Sequence, residues 1–170
     1  MTGSAHHTDA LSEADIERYA RQIIVPGVGE AGQLRLCSTT VLVDGNVDGA
    51  RAAASYLNAA GLYVCDDATS RTRVDCVLLA DFPTLPSERL RALVAAAPLA
   101  AWYAFVDGRL TGGLADASHP IPAVGSHRAP LSAPWTAVAH RIAGADAAAT
   151  VIAAVLLWVR PGQSYEIALF

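Results

Sequence analysis

The stretch ERYARQIIVPGVGEAGQLRL at residues 17–36, taken together with VLVDGNVDGA at 41–50, predicts the order of the first elements of the fold. Ser12 followed by Asp15 is a capping-box pattern, so we expect a helix to begin there. This helix should end before Pro26, because proline disfavours the helical conformation of the residue that precedes it. The chain is therefore expected to open with a helical leader.

A buried strand and a second helix should follow the leader. We expect a short helix at 29–36, a central strand at 41–43, and then a glycine-containing turn and an alanine-rich helix that Gly61 closes. Two further apolar runs, at 62–65 and 74–80, predict buried strands. Only the eight residues DDATSRTR separate them, which is too short for a parallel crossover. Either this connection is irregular or the two strands are not adjacent and parallel.

The second half of the chain predicts a helix and then a hairpin. Leucines three or four residues apart indicate a helix at 87–97, and the aromatic and aliphatic residues of 99–114 indicate a hairpin with Asp107-Gly108 at its tip. A proline-containing loop should occupy 115–134. Alternating strands and helices, followed by this hairpin, predict an α/β sandwich with a mostly parallel sheet and an antiparallel edge.

Two helices and a strand are expected to complete the chain. Pro134 suits the first turn of a helix that runs through Ile142, a separate apolar helix should follow and end at Val159, and SYEIALF should form a closing strand. We expect residues 1–10 to be a disordered tail and residues 11–170 to be a single domain.

Composition excludes several classes of partner. The formal net charge is -4 with a pI near 5.6, so the clustered basic surface that nucleic acid or an anionic membrane would require is not expected. All twelve basic residues are arginine, so no mechanism in this chain can use a lysine. The first fifteen residues contain no apolar core of a signal peptide, and the apolar run at 147–159 is shorter than the roughly 20 residues of a membrane span.

Cysteines and histidines do not predict a metal site. Cys37, Cys65 and Cys76 form no C-x-x-C pair, which favours buried thiols in a reducing, cytoplasmic compartment over disulfides or zinc. The five histidines show no spacing typical of metal ligands, so we expect no bound metal.

Several motifs together resemble the ThiF/MoeB family of ubiquitin-activating-enzyme-like adenylyltransferases. They are RYARQ at 18–22, GEAGQ at 29–33, VLVDGNVDGA at 41–50 and ASYLNAAG at 54–61, with weaker matches in VDCVLLADF, AWYAFVDGRLTGGL and GADAAATVIAAVLLW. The resemblance implies a Rossmann-like three-layer sandwich. It also implies a chemistry in which ATP and magnesium form an acyl-adenylate on the C-terminal glycine of a small β-grasp carrier protein.

The glycine loop departs from the family pattern. Aligned on Gly45, the later loop glycines are replaced by Val47, Asp48 and Ala50. Glycines are needed there because backbone N–H groups must approach phosphate closely. Valine blocks that approach, and Asp48 places negative charge where triphosphate should lie while serving as a cap for the helix. We therefore expect no nucleotide cofactor at this loop.

A block that the family places after its second strand is also missing. In relatives an aspartate there binds ribose and metal, and an arginine and a lysine contact the phosphates. Here Asp66 or Asp67 is the candidate substitute for the ribose carboxylate, although paired aspartates in a short loop are commonly solvated turn residues. The family's zinc-binding cysteine pairs and catalytic-cysteine loop are absent from the sequence.

Arg18 and Arg21 are the candidate functional cations. Their ordinary interpretation is the solvated face of a surface helix. In the family, the second arginine of the R-Y-x-R-Q motif reaches the nucleotide of the partner subunit, so the resemblance implies that Arg21 acts in trans on phosphate charge.

The aromatic residues Trp102, Tyr103, Phe105 and Trp135 have two interpretations. They either belong to the core or cover a subunit interface on surface that the missing block exposes.

These observations together predict a non-catalytic subunit or scaffold. We expect it to form a homodimer, or a heterodimer with a complete ThiF/MoeB-type enzyme, through the leader helices and the hairpin. Two alternatives stay open: an ATP-dependent adenylyltransferase that activates the C-terminus of a small ubiquitin-like or sulfur-carrier protein, and a docking module for a peptide or carrier protein.

Overall fold

The computed structural model describes residues 10–65, 73–106, 109–123 and 133–168, with the backbone alone at 133–135 and 165–168. A 3-10 turn, Phe82–Thr84, follows the third strand. In chain order the other elements are α1 (Glu13–Ile23), α2 (Gly29–Cys37), β1 (Thr40–Gly45), α3 (Val47–Ala60), β2 (Tyr63–Cys65), β3 (Cys76–Ala80), α4 (Ser87–Ala96), β4 (Leu99–Val106), β5 (Arg109–Ala115), α5 (Ala133–Val155) and β6 (Ser164–Ala168).

A six-stranded sheet organises the fold, with strand order β2-β1-β3-β4-β5-β6. Strands β2 and β3 both pair with β1 in the parallel sense, and β4 is parallel to β3. Of the two alternatives for the strands around DDATSRTR, the second holds, because β1 lies between them and they are not adjacent. Strands β4, β5 and β6 are antiparallel neighbours. The chain is therefore an α/β Rossmann-like sandwich with a mostly parallel sheet and an antiparallel edge.

Helices cover both faces of the sheet, which gives three layers. On one face α3 and α5 pack over buried residues of β1, β3 and β4, including Val41, Leu78 and Tyr103. On the other face Leu93 of α4 packs over Val77 and Trp102. Successive residues of a strand point to opposite faces, and β3 is buried throughout, as a strand enclosed on both sides should be.

The helical leader packs against the C-terminal end of α3, which is the end opposite the glycine loop. Gln22 Nε2 of α1 donates to Ala59 O at 3.0 Å, and Gln33 Nε2 of α2 donates to Ala60 O at 2.9 Å. Gln33 is fully buried. These bonds satisfy carbonyl groups in the last turn of α3, where the helix leaves them without intrahelical partners. The predicted capping box is present, because Ser12 and Asp15 bond reciprocally.

One prediction about the C-terminal half is wrong. The two helices expected from Pro134 to Val159 are a single helix of 23 residues, which ends at Val155. After it Leu157 N donates to Ala154 O and Trp158 N donates to Ala153 O, which is a Schellman closure. Leu157 occupies the left-handed position that glycine usually fills, with φ of 64°.

The apolar composition of α5 agrees with its position in the core. By length and composition, Thr136–Val155 could cross a membrane. This segment is longer than the apolar run at 147–159 that the sequence shows. In the structure Ala143, Ala147 and Val151 of this helix are buried against α3 and the sheet. A core helix passes the same test of composition, so the finding is weak support for a membrane span.

Two glycines allow α3 and α5 to approach closely. A Cβ on Gly144 would collide with the carbonyl oxygen of Gly49, and a Cβ on Gly49 would collide with the Tyr103 hydroxyl. The backbones of the two helices therefore touch near the start of α3, which positions the glycine loop beside α5.

Gly144→Ala should lower the free energy of unfolding by about 3 kcal/mol, because the backbone of α3 would have to move away. Gly32→Ala is the matched control: its Cβ would meet Leu156 Cδ2 at 3.0 Å, the movable end of a side chain. The better helix propensity of alanine should offset that contact to within about 1 kcal/mol. Urea unfolding of both variants measures the difference, and equal losses would contradict this account of the α3–α5 contact.

Candidate functional site

The candidate site is the crevice at the carboxyl ends of β1 and β3. Gly45 at the end of β1 pairs with Ala80 at the end of β3, and α3 and α4 leave these strands toward opposite faces of the sheet. Ligands of open α/β sheets bind at such a switch point. Here Asn46 N donates to Ala80 O at 2.7 Å, so the backbone itself closes the bottom of the crevice.

Protein oxygen atoms already accept from the amides of the loop. The Asn46 side-chain oxygen accepts from Asp48 N at 3.1 Å and from Gly49 N at 3.2 Å. Ala50 N donates to the Asn46 carbonyl, and Gly45 N donates to Asp44 Oδ1 at 2.7 Å. The sequence predicted Asp48 as the cap; that prediction is wrong, because Asn46 is the N-cap residue and Asp48 lies inside the first turn.

Gly45 is required by the backbone of the loop itself. Its φ is 117°, and a Cβ there would collide with the Ala80 carbonyl. The replaced positions differ from one another in environment. Val47 is 68% exposed at the mouth of the crevice, whereas Ala50 packs partly buried against the core. Val47 therefore presents an apolar surface at the start of α3, where an anion would need bare backbone.

Two ion pairs flank the loop. Arg89 at the start of α4 contacts Asp44 Oδ2 through Nη2 at 2.6 Å and through Nε at 2.7 Å. Arg141 of α5 lies 3.4 Å from Asp48 Oδ1. Each guanidinium that could have attracted a phosphate is thus opposed by a carboxylate of the loop. The sequence analysis missed both arginines, because they lie far along the chain and belong to no recognised motif.

Asp81 is a second residue that the sequence analysis did not single out. It ends the segment VDCVLLAD, and it is 3% exposed with φ of 53°. Its Oδ1 accepts from Phe105 N at 3.2 Å, which ties the end of β3 to β4. The resemblance to a family strand that ends in aspartate was the available signal. In this chain that carboxylate accepts a hydrogen bond from the backbone of β4.

A buried polar pair lies beneath the loop. The hydroxyl of Tyr103 is 3.2 Å from His140 Nδ1, and the two side chains are 0% and 6% exposed. Burial, with Asp81 and Asp48 nearby, raises the pKa of Tyr103, so the side chain stays a neutral phenol. The phenol can therefore donate or accept a hydrogen bond without carrying charge in the core.

The aromatic residues of β4 belong to the core. Trp102, Tyr103 and Phe105 are 3%, 0% and 9% exposed, so of the two interpretations the place in the core holds for these three residues. Alternation along β4 sends Tyr103 and Phe105 toward α5 and Trp102 toward α4. The side chain of Trp135 lies outside the described part of the structure, as do Asp66, Asp67 and His127.

Arg18 and Arg21 lie far from the glycine loop of their own chain. Both are exposed on α1, which docks at the C-terminal end of α3 through Gln22. Helix α3 has 14 residues and therefore places roughly 20 Å between its two ends. The Arg18 guanidinium stacks 5.2 Å from the centre of the Tyr19 ring. Neither side chain can reach the loop in cis.

The thiols of Cys37 and Cys76 are poor nucleophiles, and the described residues contain no group of three or more histidine, cysteine or acidic side chains that could hold a metal. Burial raises the pKa of Cys76 to about 12, and burial also raises that of Cys37, which bonds Gln33. The exposed His119 pairs with Asp116 at 3.1 Å. The chemistry left to the crevice is structural hydrogen bonding and ion pairing.

An open apolar groove of about 500 Å³ lies between α4, the start of β4 and the residues at the end of β5. Leu90 and Val94 of α4 line one side, and Ala115 and Ile121 line the other. Arg91 and Asp116 are the charged residues of its lining.

Comparison with known proteins supports the family resemblance over a fragment. The chain is 49% identical over 59 residues to "Adenylyltransferase and sulfurtransferase MOCS3" of Drosophila ananassae, which is 35% of this chain and 13% of that protein. It is 50% identical over 52 residues to "Protein HesA, vegetative" of Trichormus variabilis, which is 31% of this chain and 20% of that protein. The similar regions thus span a fifth or less of these relatives. No protein-family model matches the chain.

A solved structure shows the same fold over a longer span. The crystal structure of PaaA superposes with a TM-score of 0.60 and 12% identity, and the alignment covers 99% of this chain and 75% of that chain. At this level of identity the likeness concerns the fold alone.

Stability should fall as pH rises above about 9. Burial raises the Cys76 pKa from 9.0 to about 12, so over this interval the folded chain keeps a thiol proton that the unfolded chain releases. The folded state then binds more protons, and the contribution is lost at about 1.4 kcal/mol per pH unit. Cys76→Ala should lower stability near neutral pH and flatten the decline above pH 9, so that the difference between the two proteins shrinks as the pH rises. Parallel pH profiles of the two proteins in urea unfolding would contradict this assignment.

Proposed function

We propose that this chain is a non-catalytic relative of ThiF/MoeB-type adenylyltransferases, which acts as a subunit or scaffold and binds no nucleotide at its own glycine loop. The fragments identical at 49% and 50% to an adenylyltransferase and to a HesA protein support the relation. The single observation that carries the non-catalytic role is the occupation of the loop amides by Asn46 and Asp44.

Electrostatics at the loop also argues against a polyphosphate. Bound triphosphate would lie near the carboxylates of Asp44 and Asp48, and it would have to displace them from Arg89 and Arg141. Val47 covers the start of α3, so the N–H groups cannot be approached as glycines allow. The phosphates of a bound nucleotide would therefore lack the stabilising contact with the N-terminus of α3. Their negative charge would also be repelled by the two carboxylates.

Association with another chain is the second part of the proposal. The other chain is a second copy or a complete ThiF/MoeB-type enzyme in a cytoplasmic setting. Because Arg21 is exposed and lies at the far end of α3 from its own loop, its guanidinium is free to act on a partner. In a heterodimer it would oppose the phosphate charge of the partner's nucleotide, as the family resemblance suggests.

Two alternatives are each favoured by a particular observation. Adenylyl transfer to a carrier protein is favoured by the similarity of a fragment of this chain to proteins named adenylyltransferase and sulfurtransferase. Docking of a peptide or carrier protein is favoured by the apolar groove beside α4.

Titration of the purified protein with ATP and Mg²⁺ should give no saturable heat, because the loop donors are bonded within the protein. A ThiF/MoeB-type enzyme with an intact glycine loop, titrated alongside, is the positive control. A saturable micromolar signal would contradict the proposal and favour the adenylyltransferase.

Arg21→Ala should abolish the contribution of this chain to a partner's adenylation while the complex of the two proteins persists. An arginine that stabilises transition-state charge in trans is worth roughly 10³-fold or more in kcat. Arg18→Ala is the matched control on the same helix, since its guanidinium already lies against Tyr19. Pyrophosphate exchange by the partner, with and without each variant, measures the effect. Unchanged turnover of the partner enzyme in the presence of Arg21→Ala would contradict the trans role.

A further inference from the structure

The floor of the apolar groove beside α4 is made of small side chains. Ala100 of β4 and Ala115 of β5 are paired directly across the two antiparallel strands, and both belong to the core cluster on the α4 face of the sheet. Paired residues of neighbouring strands point to the same face. Two methyl groups therefore form the floor, and the space above them is the groove of about 500 Å³.

Apolar side chains form the two walls of the groove. Leu90 and Val94 are four residues apart on α4, and Ile121, in the segment after β5, lies on the opposite wall. Leu90 and Ile121 are partly buried against the core, and Val94 is 40% exposed. A volume of this size and an apolar lining with few polar groups are typical of sites that bind small organic molecules.

The two charged residues of the lining differ in what they already bind. Oδ1 of Asp116 accepts from Ser118 N at 2.9 Å and from His119 N at 2.8 Å, and it lies 3.1 Å from His119 Nδ1. Arg91 donates from Nε to Ser87 O at 3.3 Å, and within the described part of the chain its guanidinium forms no ion pair. The groove thus combines an apolar floor with an available positive charge. A carboxylate is the group that matches a guanidinium in charge and in shape.

The backbone beneath the groove favours a small molecule over a peptide. Strand β4 pairs with β3 on one side and with β5 on the other, so the N–H and C=O groups of the floor are bonded within the sheet. A peptide lying on this floor would find few partners for its main chain, and polar groups that are buried without partners cost free energy. A ligand with an apolar body and one anionic end avoids that cost.

We infer that this groove binds a small amphipathic carboxylate of the medium-chain fatty acid type. Its apolar body lies over Ala100 and Ala115, and its carboxylate pairs with Arg91. Ala100 is near the amino end of β4, which runs parallel to β3, whereas the glycine loop adjoins Ala80 at the carboxyl end of β3. The groove and the loop are therefore separate sites. Failure of carboxylate binding would leave the proposed lack of nucleotide binding intact, and nucleotide binding at the loop would leave this inference intact.

Calorimetric titration with octanoate and with 1-octanol separates the ion pair from the apolar contact. Octanoate should bind saturably with one-to-one stoichiometry, and octanol should bind roughly tenfold more weakly because it cannot pair with Arg91. Arg91→Gln should weaken octanoate binding by the same factor and leave octanol binding unchanged. Arg35→Gln is the matched control, since Arg35 is exposed on α2, whose buried Leu36 belongs to the cluster on the other face of the sheet.

Two further measurements locate the bound carboxylate. Val94→Glu places a like charge on the wall at an exposed position and should abolish octanoate binding, while circular dichroism shows that the variant folds. In methyl NMR spectra octanoate should shift the signals of Val94 and Ile121 and leave that of Val47, at the glycine loop, unchanged.

The absence of saturable octanoate binding would overturn the inference, and it is the result expected if the groove accepts only a peptide or a carrier protein. Equal affinity for octanoate and octanol, equal losses with Arg91→Gln and Arg35→Gln, or methyl shifts at Val47 in place of Val94 would each overturn it as well.

Discussion

Oxygen atoms of the loop between β1 and α3 accept hydrogen bonds from the N–H groups of the same loop, and this is the constraint on which the molecule depends. A helix N-terminus leaves N–H groups without intrahelical partners, and in dinucleotide-binding folds those groups bind phosphate. Here the side chain of Asn46 accepts from two of them and Asp44 accepts from the N–H of Gly45. A ligand would have to break bonds that the protein already makes before forming any of its own.

The sequence predicted the first half of the fold well because its signals are local. The capping box at Ser12, the left-handed Gly61 and the strand at 41–43 each depend on a few neighbouring residues, and all three are present. The second half was less predictable because its signals conflict. Pro134 marked a helix start, but alanine-rich helices carry no internal boundary, so one helix was read as two. The site could be predicted only where a motif covers it: Gly45 and Val47 were found, whereas Arg89 and Arg141 reach the loop from distant helices that only the tertiary fold brings together.

Residues that match the family motifs are those that the folded chain needs without any ligand. Gly45 must lack a side chain because a Cβ would meet the Ala80 carbonyl. Asp81 bonds the backbone of Phe105 from a buried position. By contrast Val47 and Asp48, which depart from the motif, lie at the mouth of the crevice, where a nucleotide would make contact. A partial glycine motif thus records the geometry of a strand, a turn and a helix, and the proposed loss of phosphate binding rests on the residues at the mouth.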